Sequence, residues 1–357
     1  MSPSVSRIEA LRRKIRRSKV DCMYVSALPN IRYLTGFRGS AGALLVTPDN
    51  AVLFVDGRYK TQAAQQTDGV EVVVFEHGAE HGLLADLARR RIRRLGFERN
   101  RVSHAAWEML RARRRELIGI EGVVERLRAV KDADEIEAIA SSCALNAEAA
   151  ERTLRRARPS WTETRLAAEL DHTMRLLGAE RPAFNSIVAS GAHSALPHAQ
   201  PRRRRLVGDG LIVLDHGAIL DGYASDMTRM AAFGAPDVEL RRIVKAVREA
   251  QAAALDIVKA GVESRSVDRR ARRTLKQHGL DQYFSHSTGH GLGLEIHELP
   301  RIGPRERTRL REGMTVTIEP GVYIEGLGGA RIEDTVVVTS TGCRILTAPS
   351  KALRILN

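Results

Sequence analysis

The chain has 357 residues, 43% hydrophobic and 28% charged, the balance of a globular protein with room for two domains of roughly 100–200 residues. No apolar run nears the ~20 residues of a membrane span, and Arg12, Arg13, Lys14, Arg16 and Arg17 stand where a secretory leader needs its apolar stretch. The net charge of +14 gathers in residues 1–130 (24 basic, 14 acidic), but its arginine clusters lack interleaved aromatics and zinc-finger spacing, which argues against nucleic acid as a partner.

Residues 4–17 carry Val5, Ile8, Leu11 and Ile15 at helical spacing. Val20 to Val25 reads as a strand. Ala43 to Val46 and Val52 to Val55 read as a hairpin around Thr-Pro-Asp-Asn, and Val70 to Phe75 as a further strand. Helical patterns at 82–94 and 104–115 each lead into a short strand, at 95–98 and 117–120. The arginine clusters Arg89-Arg90-Arg91 with Arg93-Arg94, and Arg113-Arg114-Arg115, fall on these patterns and read as solvated helix faces. Together these predict an α/β domain over residues 1–128, with a mixed sheet. Residues 123–133 lack a period and read as the linker.

The second domain, 129–357, is predicted to be α+β, an antiparallel sheet backed by helices. One helix should start near Asp132 or Asp134; a second, Thr162 to Leu177, takes Ser160 or Thr162 as its cap. Further helices are expected at 237–259 and 264–279, with strand-rich stretches at 184–190, 209–231, 284–297 and 313–347. Cys22, Cys143 and Cys343 are odd in number and widely spaced, giving no disulfide framework; this fits a reducing, cytoplasmic compartment.

The chemistry gathers in the second domain, where seven of the eleven histidines lie between His193 and His297. Asp215 ends an apolar run, and Asp221-Gly222 is a two-residue hairpin signal. A turn there sets Asp215 opposite Thr228, so Asp215 and Asp226 leave the same face as diagonal neighbours. Two carboxylates in a buried sheet repel unless a cation or proton lies between them. His286-Ser-Thr-Gly-His290-Gly-Leu-Gly-Leu-Glu-Ile-His297 places three histidines among glycines that a helix would not tolerate well, so a close-packed loop or strand edge is expected. Glu319 and Glu333 each sit near the end of a strand-like run. Asp215, Asp226, His290, Glu319 and Glu333 make a hard, oxygen-rich set, unlike a structural zinc knuckle. Such a set suits two divalent ions sharing a bridging hydroxide, which points to a two-metal hydrolase.

These motifs resemble those of the pita-bread metallopeptidases, the family of aminopeptidase P, prolidase and methionine aminopeptidase. The resemblance rests on Asp-His-Gly-Ala…Ser-Asp226-Met-Thr-Arg, Gly-His290-Gly-Leu-Gly…Ile-His297-Glu, Ile-Glu319-Pro-Gly-Val-Tyr and Arg331-Ile-Glu333-Asp. Asn30-Ile-Arg-Tyr-Leu-Thr-Gly-Phe and Leu53-Phe-Val-Asp-Gly-Arg-Tyr resemble the creatinase-type N-terminal domain, so the likeness spans nearly the whole chain. His216 departs from the aromatic or apolar residue often found there; facing away from Asp215, it reads as packing.

The resemblance implies a creatinase-type domain followed by a pita-bread catalytic domain. In it Asp226 and Glu333 would bridge two ions, His290 and Glu319 would complete one site, and Asp215 the other. Glu319 would also be the general base, and Arg331 would orient Glu333. His198 and His297 would stabilise the tetrahedral intermediate, and His286 would face the substrate. The metals would be manganese first, with cobalt, zinc or iron as substitutes. The implied activity is Xaa-Pro aminopeptidase acting on proline-containing peptides, with prolidase as the alternative and a non-catalytic binding module as a remote one. The family also suggests a homo-oligomer, a dimer first.

Overall fold

The computed structural model describes residues 2–76, 79–111, 115–206 and 210–356. Two compact units divide it, Met1–Arg128 and Ala129–Asn357.

In the first unit, a mixed sheet runs in the order Glu71–Val74, Ala51–Val55, Ala43–Val46, Cys22–Val25, Arg94–Glu98 and Glu116–Ile120. The Ala43–Val46 and Ala51–Val55 strands form the expected antiparallel hairpin, while Cys22–Val25 pairs in parallel with Arg94–Glu98. Cys22, Leu45, Phe54, Leu83 and Leu95 belong to one buried cluster under the helix Ala79–Arg89. That helix stops five residues short of its predicted end. Arg91 adopts φ 54°, and Arg91 and Ile92 return their N–H groups to Ala88 and Leu87, a left-handed helix stop that an alternating Arg/apolar pattern does not reveal. Arg89 and Arg90 both pair with Asp86, and Arg94 starts a strand and reaches Glu116. Arg113 and Arg114 lie outside the described residues.

Two helices here escape the periodicity. Leu28–Thr35 is eight residues long, too short to show a period; its real signals are Pro29 at the start and Gly36 at φ 84° at the end. Inside the expected linker, Glu125–Arg128 forms one helical turn because Arg128, 2% exposed, donates from Nη1 to Asn30 Oδ1 at 2.6 Å.

The second unit is built on four long helices, Ala133–Arg156, Glu163–Leu176, Val238–Leu255 and Ser264–Gln277. Asp132 caps the first, and Glu135 returns the favour in a reciprocal capping box, which is why the helix starts from Asp132 and not Asp134. Thr162, not Ser160, caps the second through Arg165 N–H at 3.1 Å. Two sheets carry the site. One orders Arg354–Leu356, Met227–Phe233, Ile212–His216 and Ile187–Ser190; the other Glu298–Ile302, Gly289–Gly291, Thr315–Ile318, Asp334–Val338 and Cys343–Ile345. All these pairings are antiparallel except one: Arg354–Leu356 runs parallel to Met227–Phe233. A large core cluster joins the helices Val238–Leu255 and Ser264–Gln277 to Val316, Ile318 and Val336 of these strands. Among the described residues no helix is long and apolar enough to cross a membrane.

Candidate metal centre

Asp221 (φ 47°) and Gly222 (φ 72°) make the two-residue turn, and Ile219 pairs with Ala224 and Leu220 with Tyr223 beside it. The same register continues past Gly217, so Asp215 lies opposite Thr228 as the turn predicts. Asp226, two residues before Thr228, therefore shares its face. A Cβ on Gly217 would fall 2.1 Å from Ser225 O, so only glycine lets the two strands stay this close at that point.

His290 enters from the narrow strand Gly289–Gly291. A Cβ at Gly289 would sit 1.9 Å from Thr317 O and one at Gly291 2.2 Å from Leu299 O. The glycines are there for close approach on both sides, which threads His290 between its neighbours. His290 Nδ1 faces Gly291 O at 3.0 Å; a carbonyl only accepts, so Nδ1 carries the proton and Nε2 presents a lone pair. That lone pair meets Glu319 Oε1 at 3.3 Å and Asp226 Oδ2 at 3.5 Å.

Asp226, His290 and Glu333 each offer a donor atom within 4.8 Å of the others. Asp215 and Glu319 border this trio. Asp215 Oδ2 accepts from Arg331 Nη2 at 2.6 Å, leaving Oδ1 buried without a partner. Glu319 Oε1 accepts from Thr317 Oγ1 at 3.1 Å. Glu333 Oε2 accepts from Thr228 Oγ1 at 2.7 Å, and its Oε1 is buried with no partner.

Burial, then the neighbouring charges of Glu333, Asp215 and Glu319, pushes the Asp226 carboxyl well above the ordinary carboxylate range. Glu333 rises likewise, from burial first and then Glu319 and Asp215. Burial pushes Glu319 up to about 7. A lone pair facing carboxylates, with two orphaned carboxylate oxygens beside it, is a cluster short of positive charge. Divalent cations fit such a donor set.

Arg331 is the one guanidinium inside the cluster among the described residues. Burial alone would depress it, but Tyr323, Asp215, Glu319 and Glu333 outweigh that and hold it charged. Four of its five N–H groups have acceptors: Nε donates to Thr228 Oγ1 (3.1 Å), Nη1 to Tyr323 Oη (2.6 Å) and Pro197 O (3.2 Å), and Nη2 to Asp215 Oδ2 (2.6 Å). It reaches Glu333 through Thr228, whose hydroxyl accepts from Arg331 and donates to Glu333.

The histidines divide. His297 packs edge-on against His290, with ring centroids 4.4 Å apart; burial and then His290 lower its pKa. His198 is exposed and makes no hydrogen bond among the described residues, yet its charge is among those acting on His297 and His286. His286 is different. Its Nδ1 donates to Ser287 O at 2.8 Å and its Nε2 accepts from Tyr323 Oη at 2.9 Å, so neither nitrogen is left for a substrate. Burial pushes it down to about 4, and it buttresses Tyr323. His216 turns away from Asp215, fully buried, with Nδ1 2.6 Å from Asn146 Oδ1, as a packing residue would.

Sequence reasoning gave no site role to Thr228, Thr317, Tyr323 or Arg301. The two threonines were within reach of period-2 alternation, being two residues from Asp226 and Glu319 on the same faces. Arg301 pairs with His290 across the ladder, and its charge acts on both His290 and His297. It is exposed and makes no hydrogen bond or ion pair among the described residues.

Residues 137–340 match the metallopeptidase family M24, and residues 7–130 the creatinase/prolidase N-terminal domain. An Xaa-Pro dipeptidase of Pyrococcus furiosus is 35% identical over 97% of this chain and 99% of its own length. Among solved structures, an Xaa-Pro dipeptidase from Bacillus anthracis superposes with a TM-score of 0.96 at 37% identity, covering 99% of this chain and 100% of that one. An X-Pro aminopeptidase from Thermotoga maritima gives a TM-score of 0.90 at 36% identity, covering 96% and 100%.

Proposed function

The chain belongs to metallopeptidase family M24, and from that premise we propose that it hydrolyses the peptide bond before proline, with Xaa-Pro dipeptides as its preferred substrates. The carboxylate cluster around His290 Nε2, buried and short of positive charge, carries the hydrolytic part of this reading. Asp215, Asp226, His290, Glu319 and Glu333 would hold two divalent ions, manganese being best matched to so many oxygen donors. When bound, such ions supply an activated water and polarise the scissile carbonyl.

The chain's own residues do the rest. Glu319, whose Oε1 lies 3.3 Å from His290 Nε2, is suited to hold the proton released as water attacks and to return it to the departing proline nitrogen. His297 and His198 are suited to donate to the oxygen that gains charge in the tetrahedral intermediate. Arg331 keeps Asp215 and, through Thr228, Glu333 in place.

The choice between aminopeptidase and dipeptidase turns on whether a cation is placed to receive the proline carboxylate. Arg331 gives four of its five N–H groups to protein acceptors. Arg301 makes no such bonds among the described residues; it lies across the ladder from His290, and its charge acts on His290 and His297. A cation placed there favours a substrate that ends in a carboxylate at proline. The curated Pyrococcus furiosus relative and the Bacillus anthracis neighbour bear the dipeptidase name; the Thermotoga maritima neighbour keeps Xaa-Pro aminopeptidase as the second reading. Steady-state hydrolysis of Ala-Pro, its C-terminal amide and Ala-Pro-Ala, each with manganese, tests the choice. Ala-Pro should have the highest kcat/KM, and Arg301→Met should raise KM about tenfold for Ala-Pro alone, the size expected for one charge-assisted contact. Faster cleavage of Ala-Pro-Ala, untouched by Arg301→Met, would restore the aminopeptidase.

A further inference from the structure

His198 is exposed and has no hydrogen bond among the described residues, so its loop is what aims it. That loop leaves the strand Ile187–Ser190, turns through Gly191–Ala195, passes Pro197 and His198, and returns at Arg202. One side chain ties both of its ends. Glu163, the first residue of the helix Glu163–Leu176, is wholly buried. Its Oε1 accepts from the Ser190 N–H and hydroxyl, both at 2.7 Å. Its Oε2 accepts from Arg202 N–H at 3.0 Å and from His193 Nδ1 at 2.9 Å. A carboxylate has about four acceptor positions, so Glu163 is saturated.

We propose that Glu163, with His193, is a positioning residue that aims His198 at the substrate; this rests on reading His198 as a substrate-facing donor. His193 is buried and its Nε2 has no partner among the described residues, so its polar use there is the bond to Glu163. The middle of the loop is indexed to the strand Gly328–Arg331 separately. Ser194 Oγ accepts from Gly329 N–H at 2.8 Å, and Arg331 donates to Pro197 O. Backbone bonds from Gly191 N–H to Leu211 O (2.9 Å) and from Thr164 N–H to Arg202 O (3.1 Å) also hold the ends, so loss of the Glu163 carboxylate leaves the loop attached but removes the side chain that couples one end to the other. A displacement near 1 Å is enough to cost a reaction about 10²-fold when it moves a group that must meet the transition state.

The test is a double-mutant cycle on the full chain reconstituted with manganese, using Ala-Pro. Glu163→Gln puts an amide N–H₂ against existing donors. It should lower kcat about 10- to 100-fold with little change in KM and with metal per chain unchanged. In the His198→Ala background the same substitution should change kcat by less than about twofold, because the group it serves is gone. His193→Asn keeps an N–H at the δ position and should hold kcat within a few-fold, whereas His193→Phe should match Glu163→Gln. Equal losses in both backgrounds, or no loss of kcat in the parent, would overturn the proposal. If His198→Ala alone leaves kcat unchanged, the reading of His198 fails and the proposal with it, and the single variant reveals this before the cycle is closed. Should Glu163→Gln unfold by thermal melting, the His193→Asn and His193→Phe pair, each combined with His198→Ala, decides by the same criterion.

Discussion

Glu98 in the first unit and Glu333 in the second are hidden from water to nearly the same degree, 3% and 1% exposed. Glu98 accepts from Ser26 N–H (2.7 Å), Ser26 Oγ (3.0 Å), Ala27 N–H (2.8 Å) and Asn30 Nδ2 (2.6 Å), at the start of the helix Leu28–Thr35. Burial raises its pKa and those bonds pull it back. Glu333 has one donor, an orphaned oxygen, and acidic neighbours. Burial therefore does not separate a working carboxylate from a structural one; the balance of donors around it does. The first arrangement is complete without any added group, and the second is not.

The sharpest way to break this contrast is to remove an acid from the deficient cluster. Asp226→Asn should abolish Ala-Pro hydrolysis and lower bound metal by at least one ion per chain, while the metal-free variant melts no lower than the metal-free parent, because a repulsive charge has gone. Parent-like metal content with near-normal turnover would equate Asp226 with Glu98. Next in size, His297→Ala and His198→Ala should keep metal by elemental analysis yet lose about 10²-fold in kcat, as donors to a developing oxyanion do. Loss of metal in either would move that histidine into the donor set.

A pH series separates the two acids without mutation. Asp226, Glu333 and Glu319 all have raised values in the metal-free fold, so their contribution to stability is whole below the unfolded carboxyl range, about 4. It is lost as pH rises, through about 7 for Glu319. Metal-stripped protein should therefore lose Tm between about pH 4.5 and 7.5 relative to manganese-loaded protein. Glu98 contributes equally to both forms, so the difference reports the second unit. A constant gap across that range would mean the cluster does not titrate as a repelling group. The smallest effect belongs to Glu98→Gln, which should cost about 1–3 kcal/mol of stability in denaturant melts and leave kcat and metal content as they were.

What could be read from residues alone followed the range of the interaction. The Asp221-Gly222 turn is a local signal, and it gave the pairing of Asp215 with Thr228 to the residue. Capping was nearly as legible, with Asp132 and Thr162 each among two candidates. The helix Leu28–Thr35 and the turn Glu125–Arg128 were not, since one is too brief for a period and the other depends on Asn30, distant in sequence. The same limit applies in the site. Motifs pointed to the acids and His290, but the occupancy of Arg331 by four different acceptors, and of His286 by Tyr323 and Ser287, arises from residues brought together only by folding.

The turn at Asp221-Gly222 touches none of the reacting groups, yet it acts as a ruler between two of them. Adding one residue there would send Asp226 to the opposite face of its strand. Adding two would restore the face but slide Asp226 along by about 7 Å, beyond the reach of an ion shared with Glu333. Surface turns generally accept insertions at little cost, but here a slipped register would also turn the buried strand Met227–Phe233 off its core contacts. Length variation in this hairpin is therefore closed to the chain for as long as Asp215 and Asp226 must meet, however freely its tip residues change.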